Sequence, residues 1–162
     1  MQARLELLAS MPVFGGLNAE TLELLSRRAE SVCLESGEHF FREGDDTQSM
    51  YVLQTGRVEI YKSWRGESKL LRWMEAGDCF GEMALVDLFP RSASALAAEH
   101  CEALEITPAL LQELHRQSAE QFTLLQMNMG REISRRLRRV DELLFRALMG
   151  DALPETTFED FS

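Results

Sequence analysis

The sequence predicts an α+β fold, with a β-rich centre of jelly-roll type held between helical ends. Three observations carry this. Between residues 31 and 106, Gly37, Gly44, Gly56, Gly66 and Gly77 recur about every ten residues, with short β-prone runs between them. Before and after that stretch, apolar residues return every three or four positions, the period of an amphipathic helix. At 162 residues the chain has the length of one domain and can bury a core of its own.

Residues 2–30 read as helical. Leu5, Leu7 and Leu8 lead to a break at Met11-Pro12 and a turn at Gly15-Gly16. Asn18 then caps a second helix, with Thr21 and Glu23 early in it and Leu22, Leu24 and Leu25 on its apolar face. The β-prone runs are 31–34, 39–42, 50–54, 57–62, 68–73 and 101–106. Val58 and Ile60 alternate with Arg57, Glu59 and Tyr61, as in a half-buried strand. Gly44-Asp45-Asp46 and Arg65-Gly66-Glu67 are hairpin chemistry. Short strands so spaced make a sandwich or a jelly roll.

From Pro108 the helical period returns. Thr107 suits the cap, Pro108 the first turn, and Leu110, Leu111 and Leu114 the buried face. A long helix follows over 119–149, with the stripe Phe122, Leu125, Met129, Ile133, Leu137, Val140 and Leu144. At 1.5 Å per residue it reaches roughly 45 Å, longer than one small domain needs. It is expected to pack on a second copy or to cross over a ligand. Gly150 suits its end. Residues 151–162 are acidic and punctuated by Pro154, and they are expected to form a flexible tail with no output domain.

Composition excludes some functions. A net charge of -10 argues against nonspecific nucleic-acid binding, which needs a basic footprint. Arg131, Arg135, Arg136, Arg138 and Arg139 gather on the long helix, but Glu132, Asp141 and Glu142 dilute them, and DNA is not the expected partner. Cys33, Cys79 and Cys101 are odd in number and widely spaced, fitting neither a disulfide framework nor a metal site. A reducing, cytoplasmic compartment is expected. The first eight residues lack the continuous apolar run of a signal peptide, and no segment is apolar for the length of a bilayer. His39, His100 and His115 lie in different elements without nucleophile partners, and no phosphate loop of the Gly-x-x-x-x-Gly-Lys type occurs. The chain is read as a binding protein, not an enzyme.

The chemistry concentrates in Phe80-Gly81-Glu82-Met83-Ala84-Leu85-Val86-Asp87-Leu88-Phe89-Pro90-Arg91-Ser92-Ala93-Ser94. A helical turn opening at Gly81-Glu82 leaves backbone N–H groups for an anion, and Arg91 supplies a two-pronged donor suited to phosphate. Glu82 has the wrong sign for an anion and suits a sugar hydroxyl. Phosphate and sugar together point to a compact nucleotide.

The pattern Phe-Gly-Glu-x-Ala-Leu followed by Pro-Arg-Ser-Ala-Ser resembles the phosphate-binding cassette of the cyclic nucleotide-binding domain family, in particular the sensory domains of the bacterial catabolite activator class. The resemblance covers residues 10–145. It implies a β-roll of about eight strands with the cassette inserted between two of them. The implied parts are an N-terminal helical segment (1–30), the roll (31–107), lid and dimer helices (108–150) and the tail (151–162). It implies phosphate contacts from Arg91 and Ser92, ribose contacts from Gly81 and Glu82, and cassette backbone and walls from Leu71, Phe80, Met83 and Ala84. In activator-type domains the long helix also caps the base. Here Arg136 and Leu137 stand where that class has a hydroxyl pair, a departure that makes Arg136 the implied base cap, stacked on the purine. The expected ligand is cAMP ahead of cGMP, with no metal. The expected partners are an effector protein and a second copy joined through 119–149. The alternatives are a DNA-acting regulator of the activator type and an adaptor that keeps the fold without the ligand.

Overall fold

The structure is a computed structural model and describes residues 2–150; the expected tail at 151–162 lies outside the described residues. Helix α1 (Gln2–Ser10), a 3-10 turn (Pro12–Phe14) and α2 (Ala19–Arg28) lead into β1 (Glu30–Leu34), β2 (His39–Phe41), β3 (Met50–Thr55), β4 (Val58–Trp64), β5 (Glu67–Met74) and β6 (Cys79–Phe80). Then come α3 (Glu82–Asp87), β7 (Ser94–Ala97), β8 (Cys101–Ile106), α4 (Pro108–Gln117) and α5 (Ala119–Leu148). The strands form two antiparallel four-stranded sheets, ordered β1-β8-β3-β6 and β2-β7-β4-β5. The α+β jelly roll expected from the sequence is the architecture found.

Local chemistry sets the helix starts. The Asn18 side-chain oxygen accepts from the Thr21 N–H at 2.9 Å, and Thr107 Oγ1 accepts from the Leu110 N–H at 3.2 Å. Helix α2 closes at Arg28, and Ala29 is already extended, so β1 begins at Glu30, inside the segment read as helical. Gly56 turns β3 into β4 with φ 91, and a Cβ there would stand 2.4 Å from the His100 carbonyl oxygen. Only glycine fits that crossing.

Strand alternation divides the core in two. Met50 and Val52 of β3, with Leu104 and Ile106 of β8, face outward onto the helices and join Leu8, Phe14, Leu25, Leu114, Leu125 and Met129. Tyr51 and Leu53, with Cys101 and Ala103, face into the roll and join Phe41, Val58, Ile60, Met74 and Phe80. The sheet containing β3 and β8 is thus covered on both faces.

The stripe on α5 divides as well. Leu125 and Met129 are fully buried, while Leu137, Val140 and Leu144 are about half exposed. The first half is fixed to the body of the domain: Asn128 Nδ2 donates to the Val13 carbonyl at 3.2 Å and to the Gly15 carbonyl at 2.8 Å. Among the described residues no helix is long and apolar enough to cross a membrane.

Candidate functional site

Strand β6 ends at Phe80, and Gly81 turns the chain in the left-handed region (φ 81) before α3 begins at Glu82. The helix ends at Asp87, where Leu88 also adopts a positive φ of 60, so Leu88 closes it ahead of Pro90. A Cβ at Gly81 would come within 2.8 Å of Arg91 Nη1 and 3.0 Å of the Ser49 carbonyl oxygen. The glycine lets the arginine lie against the backbone.

Arg91 is 3% exposed. Its Nε donates to Thr47 Oγ1 at 2.9 Å, Nη1 to the Gly81 carbonyl at 2.8 Å and Nη2 to the Ser49 carbonyl at 2.6 Å. The guanidinium carbon lies 4.0 Å from the centre of the Phe41 ring. All three acceptors are neutral, and Arg91 makes no ion pair among the described residues. Burial lowers its pKa from the usual arginine value. A buried cation without a counter-charge is costly, and an anion beside it removes that cost. A guanidinium has five N–H groups, so the remaining two can serve the anion.

Glu82 is 1% exposed. Its Oε1 accepts from Arg136 Nη1 of α5 at 2.5 Å, while Oε2 is buried without a hydrogen-bond partner. An unmet buried carboxylate oxygen calls for a donor. Glu82 and Arg91 do not pair with each other; both line one recess of about 100 Å³, together with Gly81, Met83, Ala84 and Ser92. Arg72 of β5 also lines it. Burial first, then the charge of Arg136, lower Arg72 to about 10. Burial, then Glu82, pushes the Cys79 thiol up to about 12, which leaves it unreactive. Among the described residues no cluster of three or more His, Cys, Asp or Glu is arranged to hold a metal ion.

Residues 31–118 match the family model of the cyclic nucleotide-binding domain. The chain belongs to this family. It is 32% identical over 131 residues to a cyclic AMP receptor protein of Thermus thermophilus, covering 80% of this chain and 59% of that protein. The crystal structure of the Thermus thermophilus catabolite activator protein superposes with a TM-score of 0.74 at 31% identity, over 86% of this chain and 63% of that one. The regulatory domain of Toxoplasma gondii PKA, crystallised with cAMP, gives a TM-score of 0.66 at 25% identity, over 69% and 43%. The chain spans about three fifths of the length of the first curated relatives it matches.

Within this cyclic nucleotide-binding domain, the sequence-predicted residues fall into three groups. Gly81, Glu82, Met83, Ala84, Arg91 and Ser92 come together at the recess. Phe80 is fully buried in the roll, its ring 5.5 Å from that of Tyr51, and Leu71 packs against the same core. Neither of these two is among the residues lining the recess. Arg136 reaches into the site but is held by Glu82. Sequence reasoning missed Thr47, Ser49 and Arg72. The two hydroxyl residues follow the Gly44-Asp45-Asp46 turn, the one local signal that could have drawn attention to them.

Proposed function

We propose that this domain is a cyclic nucleotide sensor, with the cyclic phosphate on Arg91 and Ser92 and the ribose on Gly81 and Glu82. One observation carries the reading: a buried arginine lacking an ion-pair partner and a buried carboxylate with one oxygen lacking a donor line a single small recess. A cyclic nucleotide supplies both, an anionic phosphate and a sugar hydroxyl. The names of the Thermus thermophilus and Toxoplasma gondii relatives make cAMP the first ligand to test.

Signal output follows from Arg136, which ties the cassette to α5 through Glu82. Ligand that binds better to one position of α5 shifts the helix by differential affinity. The half-exposed stripe Leu137, Val140 and Leu144 continues the buried one at spacings of three and four, which supports pairing with a second copy. An effector protein reads the moved helix, and the domain acts as a binding module, not an enzyme. The free thiols Cys33, Cys79 and Cys101 support a cytoplasmic setting.

The ribose contact is tested by crossing Glu82→Ala with 2′-deoxy-cAMP. Each change alone weakens binding by about tenfold or more, and together they cost little beyond either alone. Full additivity would remove Glu82 from the ribose.

A further inference from the structure

Two features of the chain take no part in the nucleotide site: arginines on the outer face of α5, and the acidic residues that follow it. Arg131, Arg135 and Arg138 lie with Met127, Gly130 and Ser134 along one shallow groove of α5. Arg131 and Arg138 share a face, about 100° round the helix from Leu137 and Leu144. The stripe offered to a second copy therefore leaves them open. All three arginines are exposed. Arg131 Nη1 donates to the neutral Asn128 Oδ1 at 2.9 Å, and Arg135 meets Glu132 at 2.6 Å. Arg138 makes no hydrogen bond or ion pair among the described residues. A Cβ at Gly130 would meet nothing within 4 Å, so packing inside the domain does not require this glycine, which weakens a helix interior. The notch it leaves admits the backbone of another segment.

Charge and reach select the occupant. The chain has 27 acidic and 17 basic residues, so an exposed stripe of three arginines is a local exception that attracts an acidic segment. Residues 151–162 hold Asp151, Glu155, Glu159 and Asp160 and no lysine or arginine. They lie outside the described residues, but the chain leaves α5 through Gly150 at φ 83, the left-handed conformation that turns a chain away from a helix end. Pro154 cannot continue the helix. Along the axis, Arg138 and Arg135 stand about 18 and 22 Å before Gly150. With about three residues spent on the turn, an extended segment rising about 3.3 Å per residue brings Glu159 and Asp160 back by about 20–23 Å.

We propose that the acidic segment 151–162 folds back along α5 and docks Glu159 and Asp160 on Arg135 and Arg138. Exposed ion pairs are weak singly, but the tether gives the segment a high local concentration at the stripe. Once docked, it covers the one arginine-rich face of α5 that the nucleotide site does not use, and keeps other anions from it. This takes the place of the free tail expected from the sequence.

The test is nitrogen-15 relaxation on the full chain at about 0.01 M and 1 M salt, where the screening length is about 30 Å and 3 Å. In the parent at low salt, backbone order parameters of residues 155–160 lie above about 0.6, and at high salt they fall below it. Arg135→Gln/Arg138→Gln lowers them below about 0.6 already at low salt, and so does Glu159→Gln/Asp160→Asn, which leaves the folded body untouched. Exchanging the charges, with Arg135→Glu/Arg138→Glu and Glu159→Arg/Asp160→Arg together, restores the order. Order parameters below about 0.6 in the parent at low salt overturn the proposal and leave the stripe to a separate acidic partner. Order that survives in the arginine variant overturns it too, by assigning the segment to another surface. Thermal midpoints of the variants establish that they are folded.

Discussion

Replacing Arg136 with alanine isolates the ion pair between the cassette and the long helix. The carboxylate of Glu82 is 1% exposed and the Arg136 side chain 25%, with 2.5 Å between Nη1 and Oε1. Breaking a buried pair by removing one partner costs about 3–5 kcal/mol, while an exposed pair contributes about 0–1 kcal/mol. Glu82 lies at the buried limit, and its Oε2 already lacks a partner. Arg72, whose charge acts on both residues, offsets part of the loss once its repulsion with Arg136 is gone. The expected cost is about 2–3 kcal/mol. With a urea slope of about 2 kcal/mol/M, the unfolding midpoint falls by about 1–1.5 M at unchanged slope. The double variant Glu82→Gln/Arg136→Ala, which removes the stranded charge, recovers about 1 kcal/mol or more of this. A loss below about 1 kcal/mol, or full additivity in the double variant, would refute the argument that this is a buried, paired charge.

Other consequences are as direct. Gly81→Ala forces an L residue to a φ of 81 with its Cβ 2.8 Å from Arg91 Nη1, so urea unfolding should show a loss of about 2 kcal/mol or more; wild-type stability would contradict the close approach. Val140→Glu/Leu144→Glu should convert a dimer to a single-copy mass in light scattering without lowering the thermal midpoint, since both side chains are about half exposed; a monomeric parent would remove the dimer proposal. Burial holds the Cys79 thiol and, together with Glu105, the Tyr51 hydroxyl at about 12. Both keep their protons in the fold longer than in the unfolded chain, so their contribution is complete below about pH 9 and is lost as pH rises towards 12. Cys79→Ala/Tyr51→Phe should flatten that alkaline decline in urea stability, and an identical slope would assign it to other groups.

The large features of this fold were legible because they are periodic. Glycine spacing located the turns, and three–four spacing located the helices. Strand β6 escaped because two residues have no period, and β7 because Ser94–Ala97 is made of small side chains that read as the end of the cassette motif. In the site, Glu82 and Arg91 were legible because they lie in one local motif. Arg72 was not, for a reason of register. Ile60 pairs with Arg72 but Tyr61 pairs with Leu70, so Leu71 is the extra residue of a bulge, and the arginine beside it comes to lie opposite Ile60. No single-strand pattern reveals a bulge. Thr47, Ser49 and Asn128 act on backbone or side chains forty or more residues away, contacts that only the folded chain brings about. The stripe on α5 was visible throughout, but periodicity does not say which half is covered.

Calorimetric titration with cAMP and cGMP in parallel, on the parent and on Arg91→Ala, tests the central claim most directly. The account predicts micromolar or tighter binding of at least one nucleotide by the parent. Loss of Arg91 removes two charge-assisted contacts to the phosphate, about 3 kcal/mol or more, so the variant should bind over a hundredfold more weakly. No heat with either nucleotide, or unchanged affinity in the variant, would contradict it.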